Sequence, residues 1–522
     1  MKIKNIAEKF FGAKFLDDIF VRYLDRQPGF NQNNISIFYK NKYADCIEVD
    51  SPRYLEEIFK SYYTDKSVDH IIPGSKINYV AAYTPYRKNY SNILIFNFFQ
   101  KNYGIRDPIL IRLSLEHEKE VFFSKQFLLS PNEVKFLKFS CLEIDNFPSI
   151  GSIIIEAFHP KIKTPNNELR FFLLLNDVEN DTLAAVHSMP IPKRAYKSKI
   201  NFGFRAYLPV GQNASYSNIV NSDLKINSVS NKNGLFNKAS SNIPFRGPSG
   251  YLLMKNQHDI LTGIWHDNYS NNTKEVIQTS YDKELDSNCY TSFYVPNFND
   301  NAPILYFSEN EIGFNSNKIL LKCYHENGDL ITEKEFENFN DGIDLKKSFV
   351  ENNIIGGVYF IVDFKQIQQT FKVNPPCYLH IYYRSKDSFS DQVHSHSSSG
   401  YKNDYFQKNK SYRCSKMAPF FRNYKNVYAL STIGGICENP DKDINIRIYT
   451  DIGTEHVINN YSLNISNGVS VIHGEEILKV VGTNINDVAI IWIEHQSTNF
   501  NGSWFVINKD SGHLATDHFT GA

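Results

Sequence analysis

The chain is poor in sulfur, in net charge and in long apolar runs. Its seven cysteines (Cys46, Cys141, Cys289, Cys323, Cys377, Cys414, Cys437) stand singly among 522 residues, with no CxxC pair. An odd count in so large a chain argues against a disulfide framework and favours a reducing, cytoplasmic setting. Lys+Arg and Asp+Glu both number 56, so the formal net charge is zero. That balance excludes nucleic-acid binding through bulk positive charge. No run of about 18 apolar residues occurs, which leaves no candidate for a spanning helix. Near the start, Glu8, Asp17 and Asp18 interrupt the apolar residues. The segment therefore reads as no secretory signal, and export without a cleavable signal stays open. Catalytic signatures are missing as well: there is no GxxxxGKS/T, no strand-linked GxGxxG, no HExxH and no GxSxG. Gly247-Pro248-Ser249-Gly250 misses the nucleophile-elbow spacing by one residue and reads as a turn. Phosphate-loop enzymes and ordinary serine hydrolases are thereby disfavoured. A carboxylate pair for glycoside hydrolysis is spatial and leaves no sequence signature.

What is present suffices for folded domains. Apolar residues make up 42% and aromatics 14%, above the range of disordered chains. The length predicts three to four domains. Asn numbers 57, and Lys outnumbers Arg 42 to 14. This is the pattern of an A/T-rich genome, not a prion-like tract. The sequons at Asn213, Asn268, Asn271, Asn460, Asn464 and Asn501 follow from the same composition.

Three segments match one another in register. Each opens on an aromatic-proline element, at Pro85, Pro296 and Pro419. An apolar strand follows (ILIFNFF, ILYF, VYAL), then a strand ending in a polar turn (ILIRLSLEHE, ILLKCYHENGD, INIRIYTDIG). The turn residues His117, Asn327 and Ile452 lie 32, 31 and 33 residues after their prolines. Late apolar strands centre on Ile155, Phe360 and Ile490, at 70, 64 and 71. Last strands centre on Phe172, Tyr382 and Phe505, at 87, 86 and 86. Each unit closes on a histidine, His187, His394 or His518, at 102, 98 and 99. Some strands alternate (Ile444, Ile446, Ile448) and others are continuous (Ile153 to Ile155). Asn327-Gly328 predicts a tight hairpin with positive φ at both positions.

The expected fold is mainly β: three tandem antiparallel β-sandwich repeats, Ig-like or jelly-roll-like, with an α+β start and a loop-rich insertion. The boundaries are 1–75 for the α+β segment, 76–190 for repeat one, 191–287 for the insertion, 288–400 for repeat two and 401–522 for repeat three. In the first segment, Ile6, Phe10, Leu16, Ile19, Phe20 and Tyr23 form a helical stripe. Ser51-Pro52 followed by Glu56 and Glu57 marks a second helix start. The insertion has few strand-like runs, and Tyr207-Leu208-Pro209 reads as a degenerate repeat start. The strand, N-G hairpin and later G-x-apolar strand resemble tandem bacterial β-sandwich modules, an architecture that hosts many functions.

The terminal histidines carry the chemistry on offer. Units arranged about a pseudo-three-fold axis would bring His187, His394 and His518 together, and three imidazoles suit Zn, Cu or Fe. Asp517 would serve as a ligand or an orienting carboxylate. His394 and His396 form an H-x-H pair, which puts both rings on one face of a strand. The blander alternative has each histidine capping a strand end. Trp265-His266-Asp267 in the insertion is a candidate ligand corner, and Tyr86, Tyr294, Phe420 and Phe421 are candidate sugar-stacking rings. Two functions follow as expectations. One is a non-catalytic binding or structural protein for a glycan or protein partner. The other is a metal-dependent enzyme or metal-binding protein with a histidine cluster from the repeats.

Overall fold

The fold comes from a computed structural model. It describes residues 78–88, 90–96, 109–117, 120–129, 134–139, 150–159, 171–177, 182–190, 290–307, 318–337, 339, 342–363, 378–385, 388–396, 414–431, 443–482, 484–495 and 501–521. Seven strands between 202 and 267 are described as backbone alone. The predicted α+β segment 1–75 lies outside the described residues.

All paired strands run antiparallel. The first unit contains β1 (Asn78–Arg87), β2 (Ser91–Phe96), β3 (Ile109–His117), β4 (Glu120–Leu129) and β5 (Lys135–Phe139). It continues with β6 (Ile150–His159), β7 (Phe171–Asp177), β8 (Thr182–His187) and β9 (Met189–Pro190). One sheet is ordered β4-β3-β6-β1-β9 and the other β5-β2-β7-β8.

Among the described residues, the segment expected to be loop-rich holds seven strands. They are β10 (Phe202–Pro209), β11 (Asn213–Ser217), β12 (Leu224–Lys225), β13 (Ser228–Val229), β14 (Phe236–Ile243), β15 (Ser249–Lys255) and β16 (Leu261–Asp267). They make sheets β10-β14-β13 and β12-β11-β15-β16. Strands such as NASYS and FNKASSNI lack apolar alternation, which hid them. Backbone pairing builds them all the same.

The next unit has β17 (Tyr290–Val295), α1 (Phe298–Asn301), β18 (Ile304–Phe307), β19 (Lys318–His325), β20 (Leu330–Glu337) and β21 (Ile343–Asp344). Then come α2 (Leu345–Ser348), β22 (Val358–Asp363), β23 (Tyr378–Ser385) and β24 (Ser388–His396). Its sheets are β17-β22-β19-β20 and β21-β18-β23-β24. The last unit has β25 (Cys414–Phe421), β26 (Lys425–Ser431), β27 (Asp443–Thr450), β28 (Glu455–Ser462), β29 (Val469–His473) and α3 (Gly474–Val481). It ends with β30 (Val488–His495), β31 (Asn501–Ile507), β32 (Leu514–His518) and β33 (Thr520–Gly521). Its sheets are β28-β27-β30-β25-β33 and β29-β26-β31-β32.

Local chemistry recurs with these orders. Asn92 and Asn426 each stand seven residues after a proline and close the turn between the first two strands of their unit. Asn92 Nδ2 donates to the carbonyls of Arg87 and Tyr90 at 2.6 and 2.8 Å. Asn426 Nδ2 does the same to Phe421 and Tyr424 at 2.8 and 3.0 Å.

The β19–β20 turn differs from the tight hairpin expected at Asn327-Gly328. Gly328 has φ +94°, while Asn327 is not among the positive-φ residues. Gly328 N donates to His325 O at 2.9 Å, and His325 N to Asp329 O at 2.9 Å. One glycine after a type I turn, with a bulge, makes this connection. The β27–β28 turn has the same pattern: Gly453 N donates to Thr450 O and Thr450 N to Thr454 O, both at 3.0 Å.

Alternating strands bury one face: Ile319, Leu321 and Cys323 in β19, and Ile444, Ile446 and Ile448 in β27. The continuous strands β2, β18 and β26 lie in sheets covered on both faces, which is why they read as unbroken apolar runs. One core joins Ile95, Phe172 and Leu174 of the first unit to Trp504, Tyr428 and Ile491 of the last. A second core joins Tyr294, Phe360 and Tyr383 to Val427, Phe505 and Ile507. Phe172 meets Trp504 edge-on at 5.8 Å, and Tyr383 meets Phe505 edge-on at 5.4 Å.

Candidate functional site

Among the described residues, the strands β8, β16, β24 and β32 each end the order of their sheet. These edges face one another: β24 packs on β32, β32 on β8, and β16 on both β24 and β8. An unpaired edge leaves every second N–H without a partner, which is costly once buried.

Side chains from other units take these donors. Along β8, Leu183 N donates to His513 Nδ1 at 3.0 Å, Ala185 N to Asp391 Oδ2 at 2.9 Å, and His187 N to Asp517 Oδ2 at 2.8 Å. Along β32, Leu514 N donates to Ser390 Oγ at 2.9 Å and Thr516 N to Asp391 Oδ2 at 2.9 Å. His518 N donates to the Oδ1 of its neighbour Asp517 at 2.7 Å. Asp391, on β24, thus bridges two edges that belong to other sandwiches.

The cluster at the end of this junction is His187, Asp517 and His518. His187 Nδ1 donates to Asp517 Oδ2 at 2.7 Å, because an ionised carboxylate can only accept. His518 Nδ1 lies 3.0 Å from Asp517 Oδ1. The two imidazoles meet edge-on, with centroids 4.5 Å apart. One candidate ligand atom from each of the three residues lies within 4.8 Å of the others. His187 and Asp517 are buried and His518 is nearly so. Burial alone would raise the Asp517 carboxyl; the charge and hydrogen bonds of His187 and His518 outweigh it and hold the group well below the usual carboxylate range. Burial pushes His513 down to about 3, against a smaller opposing hydrogen bond from the Phe389 backbone. A neutral His513 ring fits its role as acceptor for Leu183 N.

His187, His518 and Asp517 are therefore brought together. His394 pairs with His380, which pairs with Tyr306. His187 pairs through Phe172 to Ile95, and His518 through Ser503 to Ala429. Ile95, Tyr306 and Ala429 each stand ten residues after Pro85, Pro296 and Pro419, so the three histidines share one register position. His396 pairs with Tyr378 near the end of β24, and Trp265, His266 and Asp267 end β16, with His266 opposite Gly250. The side chains of these five residues (His394, His396, Trp265, His266, Asp267) lie outside the described ones. Tyr86, Tyr294, Phe420 and Phe421 are at most 3% exposed and close the cores at the sheet entrances, so they offer no ring to a sugar.

Sequence reasoning passed over Asp391, Ser390 and His513. Their partners stand more than 120 residues away in other units. The polar sequence of β24, SFSDQVHSH, gave no sign that Ser390 and Asp391 are buried. No protein-family model matches the chain, and no curated protein matches it.

Proposed function

We propose that the chain is a non-catalytic structural or binding protein, made by repeating one antiparallel sandwich and carrying a glycan or protein partner on its outer loops. What supports the repeat is the strand order. Four strands in the order of β5-β2-β7-β8 recur in β21-β18-β23-β24 and β29-β26-β31-β32. The sheets of 202–267 supply a shortened fourth copy, whose first strand ends on Pro209.

The observation that carries the functional reading is the junction. Its buried aspartates, histidine and serine accept edge N–H groups from neighbouring units. Groups committed in this way lock several sandwiches into one platform. The buried free thiol of Cys323 fits a reducing, cytoplasmic setting. The test is a glycan array together with a pull-down using the full chain. Saturable capture of one glycan class or one protein supports the reading, and failure of both arms ends it. The cluster of His187, Asp517 and His518 favours a second reading, a metal-binding protein or metal-dependent enzyme.

A further inference from the structure

We propose that His187 and His518 bind one divalent transition-metal ion of the zinc class, with Asp517 orienting the His187 ring. This rests on the metal-binding reading alone, and its failure leaves the platform reading intact.

Three observations converge. First, the fold brings imidazoles from two units to a centroid separation of 4.5 Å, at a buried junction. Second, the Asp517 carboxylate accepts from the Nδ1 of His187 at 2.7 Å, and its other oxygen lies 3.0 Å from the Nδ1 of His518. A carboxylate on Nδ1–H leaves the Nε2 lone pair of a neutral ring for a metal, which is how outer-shell carboxylates aim metal-binding histidines. Asp517 is itself fixed by the backbone N–H groups of His187 and His518, so the His187 ring is held before any ion arrives. Third, the backbone of β24 packs on both β8 and β32, the strands that carry His187 and His518. Imidazole donors select zinc, nickel, cobalt or copper over magnesium and calcium.

The experiment uses the full chain, stripped with a chelator and dialysed. Zinc chloride is titrated in by calorimetry, with magnesium chloride as the control, and melting is followed with and without zinc. We expect one zinc per chain, bound at about micromolar Kd or tighter, with a raised Tm and no response to magnesium. His187→Gln and His518→Gln should each weaken binding at least tenfold. Asp517→Asn should weaken it about 10–100-fold, as loss of an orienting partner does. His473→Gln, at the separate pair with Glu326, should leave affinity unchanged. Absence of saturable zinc binding in the wild-type chain would overturn the proposal. So would wild-type affinity in the His187→Gln/His518→Gln double variant. Where a variant does not fold, the cobalt(II) spectrum of the wild-type chain decides: intense four-coordinate bands support the site, and a weak aqua-like spectrum sinks it.

Discussion

Two strand pairs in the first and last units place similar residues in different surroundings. In the first unit Arg112 of β3 stands directly opposite Glu156 of β6, and Nε donates to Oε2 at 2.6 Å. Both side chains are buried, at 2% and 0% exposed. In the last unit Arg447 of β27, opposite Trp492 and two residues from the partner of Glu494, reaches Glu494 at 3.2 Å and Glu455 at 3.0 Å. Arg447 keeps 34% of its side chain exposed. The difference arises outside the sheet. Ser114, Ile154 and Ser152 share the outward face with Arg112 and Glu156 and are all buried, and β11 packs on β6. Arginine is thus a buried charge in one sandwich and a rim charge in the other. Burial raises the Glu156 carboxyl, and Arg112 pulls it back.

The largest expected effect breaks the buried pair. Arg112→Met should lower the stability of the unfolding transition by about 3–5 kcal/mol, because it strands the Glu156 carboxylate. The double variant Arg112→Met/Glu156→Leu should recover most of that loss. Urea denaturation of the three chains checks it, and a double variant as unstable as the single would show that the pair is not the cause.

Acid comes next, and it separates junction from rim. His513, held at about 3 against an ordinary value near 6.5, stays neutral in the folded chain while the unfolded chain takes up a proton. Stability should therefore fall as pH drops from about 6.5 towards 3. Asp517, also depressed when folded, adds a loss that begins below its ordinary value of about 4. At the contact between the second and last units the sign reverses. The Glu326 hydrogen bond raises His473, so that contribution is full below about pH 6.5 and fades as pH rises through the folded value. Melting temperatures across pH 3 to 9 should show a steep acid limb that flattens in His513→Gln. An unchanged acid limb in that variant would remove His513 from the account.

The paired turns give a smaller contrast. Gly328 and Gly453 both have positive φ, at +94° and +81°. A Cβ on Gly328 would lie 2.6 Å from Ser466 Cβ across the unit contact, whereas one on Gly453 meets nothing within 4 Å. Gly453→Ala should cost about 1–2 kcal/mol from backbone strain alone, and Gly328→Ala more. Equal losses in thermal melts would show that the contact yields to the methyl group. The smallest effect belongs to the rim: Arg447→Met should cost about 0.2–1 kcal/mol and shrink further in salt.

Much of the fold was legible along the chain. Apolar strands and turn residues announced a mainly β protein, and the spacing from proline to histidine matched a shared strand register. His187, His518 and Asp517 were readable as candidates from that spacing. Asp391, Ser390 and His513 were not, because their partners are backbone N–H groups on edges that the chain reaches more than 120 residues away. Strands of 202–267 such as NASYS and FNKASSNI escaped because their polar residues pair by backbone and leave no hydrophobic period.

The sequence by itself determined strand chemistry: which residues alternate, where glycine must permit positive φ, and how far each histidine stands from its proline. Those are short-range properties, set by backbone sterics and side-chain period. Only the tertiary structure decided that four terminal edges meet, that Asp391 closes two of them, and that Arg112 is buried where Arg447 is not. Burial and edge partners are properties of the neighbour that arrives, and that neighbour lies far off in the chain.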